Sequence, residues 1–173
     1  MKQLIYNQES IPKHKWRYGL RSSAATGCGW IAAYNALCLM GYRPKEEKLI
    51  VWYARSLPVI NGNVGTFLLS HLAFFKRLGF PVRMTAKVSR FDQTAKDSDV
   101  CILFYYWRKK WKIGAHYVTL HYKDSRFYGY NTYKNSTGAD DYGESLQKFL
   151  KRRKYLPAVL ISVKDRKRSG VHE

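Results

Sequence analysis

One run near the start of the chain limits the folds open to it more than any other: CGWIAAYNALCLMG, residues 28–41, preceded by Gly27. Trp30, Ile31, Ala32, Ala33, Tyr34, Ala36, Leu37, Cys38 and Met40 leave almost no polar face along it. A helix that is apolar around its whole circumference is a buried one, so the rest of the chain has to enclose it. Thr26 is a candidate N-cap for this helix, and Gly41 is its C-terminal stop.

The elements after it can be read by period. PKEEKLIVWYARSL predicts a second helix, with Pro44 in its first turn and Glu46 and Glu47 at the favourable end of its dipole. NGNVG is a turn-rich linker, and Thr66 can cap a third helix that Gly79 ends. Phe80, Val82, Met84, Ala86 and Val88 alternate as a half-buried strand does. A polar connection follows, and residues 100–107 then read as a strand buried on both faces. Residues 108–113 form a loop, 115–122 a strand, and KDSR turns the chain into another strand over 126–130. A loop over 132–143, a basic helix over 144–153 and a last strand over 156–163 complete the core. Helices first and strands afterwards predict an α+β fold with a mainly antiparallel sheet. The 173 residues suit one domain, with its core at about 18–163 and a basic tail over 164–173.

Charge is the unusual bulk property: 31 Lys and Arg against 12 Asp and Glu give a net +19. Such a field attracts polyanions, anionic membranes or acidic proteins, and a nucleic acid or other polyanionic partner is one reading of it. The longest uncharged apolar stretches, 27–42 and 100–107, fall short of the roughly 20 residues of a membrane span. The first twenty residues show no apolar h-region, so no signal peptide is expected; the chain reads as soluble and, as written, cytoplasmic, with leaderless export or a removed leader left open. Three cysteines with no CxxC pair argue against a disulfide framework and a cysteine zinc site. His71 and His121 have no metal-ligand spacing, so no metal or cofactor is expected.

Three residues form a candidate catalytic set: Cys28, His116 and Asn131. Cys28 starts the buried helix, where free N–H groups and the dipole lower a thiol pKa. Gly27 and Gly29 would leave the sulfur uncrowded and let a carbonyl approach. His116 shares a strand face with Val118, Leu120 and Tyr122, pointing toward whatever helix covers that face. From the end of the next strand the Asn131 side-chain oxygen could accept the ring N–H and hold the imidazole, as the third member of a triad does. Asp124, Asp140 and Asp141 are weaker candidates for that role, one in a turn and two in a polar loop. Trp107 and Trp111 flank three cations just before His116, so Trp111, Ala115 and Trp30 join the candidate cleft.

TGCGWIAAYNALCLMG, GAHYVTLHY and FYGYNTY together resemble a papain-like cysteine peptidase, in the bacterial branch that includes the leader-removing (double-glycine) peptidases of bacteriocin exporters. The resemblance covers about residues 18–163 and implies a papain-like fold and a peptide or protein substrate. It implies Cys28 as nucleophile, His116 as base and then acid, and Asn131 as the orienting group. Family members usually place a Gln six residues before the nucleophile as an oxyanion donor; here that position is Ser22. Gln3 and Gln8 are distant in sequence; the Ser22 hydroxyl is the candidate donor beside the Cys28 N–H, with the neighbouring Arg21 guanidinium as an alternative. Losing one such donor typically costs about 100-fold to 1,000-fold in rate. Two alternatives therefore stay open: a weak or inactive peptidase fold that binds a polyanion, or an acyltransferase or deamidase using the same thioester chemistry.

Overall fold

The computed structural model describes residues 4–18, 20–55, 65–109 and 111–166. The linker before Gly65, the end of the expected second helix, and the tail beyond Arg166 lie outside the described residues.

After a short 3-10 turn, Gln8–Ser10, two short strands β1 (Arg17–Tyr18) and β2 (Arg21–Ser22) pair as a small ladder. Four helices follow: α1 (Ser23–Thr26), α2 (Cys28–Leu39), α3 (Glu46–Arg55) and α4 (Leu68–Arg77). Then come β3 (Val82–Thr85), α5 (Phe91–Lys96), β4 (Val100–Lys109), β5 (Lys112–Lys123) and β6 (Arg126–Tyr130). β7 (Asp140–Gly143), α6 (Leu146–Arg153) and β8 (Ala158–Val163) complete the chain. The main sheet has the strand order β3-β8-β4-β5-β6-β7, and every neighbouring pair is antiparallel. The protein is α+β, as the order of its elements predicts.

The sheet lies between two apolar layers. On one face α2, α3 and α4 meet Ile102, Tyr117, Ile161 and Val163. On the other face α5 and α6 meet Leu103, Val118, Leu120 and Leu160. α2 is the central helix the sequence requires, with Trp30, Ile31, Ala32, Ala33 and Ala36 at 0% exposure. The buried Thr119 hydroxyl donates to the Ala32 carbonyl at 2.9 Å and joins the helix to β5. β4 is buried on both faces at Val100, Cys101, Ile102 and Leu103, which is why it reads as a continuous apolar run.

Several local expectations differ from what forms. The loop expected at 108–113 is the end of a long hairpin, with Arg108 paired to Ile113 and Lys109 to Lys112. Gly27, not Thr26, is the N-cap of α2, because Thr26 closes α1. Thr66 caps nothing; Phe67 precedes α4, and the Thr66 hydroxyl instead pairs with that of Tyr18 at 2.8 Å. The polar loop over 132–143 contains β7, held on β6 by the Arg126–Asp141 ion pair at 2.8 Å. The KDSR turn forms as expected: Asp124 and Ser125 both have positive φ, 51° and 61°, the two-residue hairpin geometry that matches strand twist.

Candidate functional site

β6 leaves β5 at Tyr130, opposite Thr119, and Asn131 then adopts a left-handed conformation with φ of 64°. Asn tolerates that conformation better than most residues. The turn carries the chain away from β5, and the candidate site lies in the gap it leaves. The Nε2–H of His116 donates to the main-chain carbonyl of Asn131 at 2.6 Å. A neutral imidazole with its Nε2 proton so engaged carries its lone pair on Nδ1. His116 is half-buried, and burial lowers its pKa from the ordinary value while the Asn131 carbonyl pulls in the opposite direction.

Asn131 thus meets His116, but not with its side chain. Its Oδ1 accepts from the Gln8 main-chain N–H at 2.8 Å, and its Nδ2 donates to Gln8 Oε1 at 3.2 Å. Gln8 Nε2 in turn donates to the Ala24 carbonyl at 3.1 Å. A primary amide has two N–H groups, so the second one of Gln8 is left without a partner among the described residues. Gln8 is the residue that sequence reasoning set aside. Its 123-residue separation from Asn131 hid the contact, and no local pattern marks it.

The main-chain N–H groups of Tyr117, the residue after His116, and of Gly29 and Cys28 itself act on the Cys28 thiol. These donors favour a thiolate, but burial outweighs them and the Cys28 pKa is raised above its ordinary value. The dipole argument predicts the reverse. It fails because Thr66, Tyr18 and Tyr117 close over this end of α2: Tyr117 Oη donates to the Thr66 carbonyl at 2.9 Å, and Thr66 packs where a Gly29 side chain would stand. Among the described residues no hydrogen bond joins the Cys28 thiol to His116.

A cavity of about 480 Å³ is lined by Gln8, Ala24, Tyr105, Trp107, His116 and Asn131, with Ala115 on its wall. Cys28 does not line it. His116 reaches this cavity from the face of β5 that carries Val118 and Leu120, which α5 and α6 cover. The buried helix lies instead on the Tyr117 face. The strand parity of His116 is as expected, and the helix it faces is not, since parity alone does not say which helix covers which side.

The remaining candidates fall in different places. Ala115 lines the cavity. Trp30 is fully buried and donates from Nε1 to Ser23 Oγ at 3.0 Å, so it is core and not cleft. Gly27 and Gly29 are not open approaches to the sulfur. A Cβ on Gly27 would meet the Ser23 carbonyl at 2.5 Å and Trp30 Nε1 at 2.7 Å, and one on Gly29 would collide with Thr66. Trp111 stands at the hairpin tip, 97% exposed, outside the cavity lining. Ser22 sits in the β1–β2 ladder opposite Arg17 and does not line the cavity, whereas Gln8 does. No group of three or more His, Cys, Asp or Glu side chains among the described residues could hold a metal ion.

No protein-family model matches the chain, and no curated protein matches it.

Proposed function

We propose that the protein is a papain-like cysteine peptidase or amidase in which a neutral Cys28–His116 pair cleaves a peptide or related amide bond. The observation that supports this reading is that Cys28 reaches β5 at Tyr117, the residue next to His116. The Cys28 sulfur lies at the Tyr117 N–H, and the His116 ring is held by the Asn131 carbonyl with Nδ1 free as base.

The raised thiol pKa and the lowered imidazole pKa both oppose a resting ion pair. The proton therefore moves from Sγ to Nδ1 only as sulfur attacks the carbonyl carbon. The tetrahedral oxyanion is stabilised by the unengaged N–H of Gln8 and by the Cys28 N–H, which is released from the sulfur as the carbon–sulfur bond forms. Collapse expels the amine, which takes the proton from His116, and leaves a thioester. Water, deprotonated by the same Nδ1, then hydrolyses the thioester and frees the thiol. An amine in place of that water gives acyl transfer on the same residues, and a glutamine side chain as substrate gives deamidation.

The test uses alkylation with iodoacetamide and with a peptidyl chloromethyl ketone, each assigned by mass spectrometry. With iodoacetamide, Cys28 labels slowly near pH 6, because its thiol is protonated there. With the peptidyl reagent, which occupies the cleft, His116→Ala slows labelling by about 100-fold to 10,000-fold, the usual contribution of a positioned base. Cys28→Ala abolishes hydrolysis of a peptide library while thermal unfolding is preserved. Labelling by the peptidyl reagent that ignores His116 would overturn the proposal and leave a binding module on this fold.

A further inference from the structure

β3 is an edge strand of the main sheet. Its Val82 and Met84 pair with Val163 and Ile161, whose side chains belong to the layer of α2, α3 and α4. Arg83 and Thr85, opposite Ser162 and Leu160, therefore face the other way, toward α5. Lys164 follows on that side, two residues past Ser162, with its main-chain N–H donating to the Pro81 carbonyl at 3.0 Å. Across from them, α5 buries Phe91 and Ala95 in the core. Arg90, Thr94 and Asp97, at spacings of four and three residues, form an adjoining polar stripe.

A cleft of about 420 Å³ lies between these two polar strips. Apart from Pro81 and Met84, every residue lining it carries a polar or charged side chain. The cavity beside α3 has, by contrast, a floor of Leu49, Trp52, Phe74 and Phe80. Cations reach the polar cleft from three elements: Arg83 from β3, Arg90 from the 3-10 turn Val88–Arg90, and Lys164 from the end of β8. Among the described residues none of their side chains makes an ion pair or hydrogen bond. Asp97 is the one carboxylate of the lining, and its Oδ1 accepts from Gln93 Nε2 at 2.8 Å. Ser162 is 7% exposed, and its hydroxyl reaches the Arg83 carbonyl only at 3.5 Å, a bond long enough to yield to a better acceptor.

We propose that this cleft binds a small phosphorylated ligand, its phosphate oxygens held by the Arg83 and Arg90 guanidinium groups and the Lys164 ammonium. Unpaired cations gathered around one gap repel each other, and an anion relieves that repulsion. Guanidinium forks meet phosphate oxygens bidentately, and the lysine adds a compact charge. The Ser162 hydroxyl donates from the floor. A small ligand suits the cleft better than a nucleic-acid strand, because no aromatic side chain lines it to stack a base. The cleft shares no lining residue with the cavity of Gln8 and His116, so the inference does not depend on catalysis by Cys28.

The experiment is isothermal titration calorimetry of the full chain with pyrophosphate and with citrate at matched ionic strength. It compares the wild type with Arg83→Gln/Arg90→Gln/Lys164→Gln and with Lys13→Gln/Lys148→Gln/Lys151→Gln, which loses the same charge from exposed positions elsewhere. Both variants alter exposed side chains and keep the wild-type unfolding temperature. The wild type takes up one pyrophosphate per chain and binds citrate at least about tenfold more weakly. The cleft variant loses at least about tenfold in pyrophosphate affinity, and the control variant less than about twofold. Equal losses in the two variants would assign the affinity to diffuse charge and overturn the proposal. Citrate bound as tightly as pyrophosphate would overturn the phosphate assignment, and so would a wild type that takes up no pyrophosphate.

Discussion

Replacing Asn131 separates the two tasks this residue performs, because its carbonyl serves His116 while its side chain serves Gln8. Asn131→Gly removes both side-chain hydrogen bonds and keeps a backbone suited to positive φ. At a net contribution of about 1 kcal/mol each, the two bonds give a loss of about 2 kcal/mol. Asn131→Ala loses the same bonds and adds a left-handed penalty of about 1 kcal/mol, for about 3 kcal/mol in all. Urea unfolding with an unchanged m-value resolves these differences against a total stability on the order of 5–15 kcal/mol. The decisive second readout is the NMR titration of the His116 ring. Its pKa stays below the ordinary value in both variants, since burial lowers it and the 2.6 Å bond to the main-chain carbonyl, which opposes that shift, is unchanged. Had the Asn131 side chain oriented the ring, Asn131→Gly would alter that titration and leave Gln8 undisturbed. A stability loss under about 0.5 kcal/mol, less than one ordinary hydrogen bond contributes, or a shifted His116 titration in the glycine variant refutes the division of labour.

Acid sensitivity follows from His71, which burial holds neutral down to a pKa of about 3. The unfolded chain binds that proton near the ordinary 6.5 and the folded chain does not, so stability is lost as pH falls through this window, by up to about 1.4 kcal/mol per pH unit. His116 acts in the same direction. Urea midpoints measured across the window in wild type and His71→Gln check this, and a slope unchanged by the substitution counts against it. Gly29→Ala forces a Cβ into Thr66, whose hydroxyl pairs with Tyr18 and whose carbonyl accepts from Tyr117. The expected overpacking loss is about 1–3 kcal/mol by thermal or urea unfolding, and an alanine variant as stable as the wild type would show that Thr66 yields freely.

The parts of the fold legible in the sequence are those whose burial is written into the local pattern. The apolar runs at 29–37 and 100–103 could be satisfied only by enclosure, and both are buried. The parts that were not legible are polar segments fixed by distant partners. α1 and β7 have no strong period of their own, and the 3-10 turn at Gln8–Ser10 is held by Asn131. The candidate site was legible as a set of residues and not as a geometry. Cys28 stands where the helix start predicts, yet burial raises its pKa against the pull of the Tyr117, Gly29 and Cys28 N–H groups, and that burial comes from distant parts of the chain. Ser22 has the right separation from Cys28, but the strand ladder takes it away from the cavity that Gln8 enters.

Two asparagines explain how a residue so early in the chain becomes part of the site. Asn35, fully buried on α2, accepts from the Ile5 N–H at 2.9 Å and donates to the Ile5 carbonyl at 2.8 Å. Asn131 holds Gln8 from the end of β6, through one bond from the Gln8 main-chain N–H and one to its side-chain Oε1. Between them the N-terminal segment is fastened to the helix that carries Cys28 and to the turn that holds His116. An extended segment without a hydrophobic period cannot fix its own place by burial, so polar groups with defined geometry do it instead. Each grip leaves a buried or half-buried amide unsatisfied if the segment lifts, which makes the docked state favourable although its closure spans most of the chain. The same docking completes the candidate site, because the Gln8 amide is in place only when both grips hold. The imidazole and the Gln8 amide are therefore brought to one cavity by a closure of the chain on itself, and the N-terminal segment is a wall of that cavity rather than a lead-in to the domain.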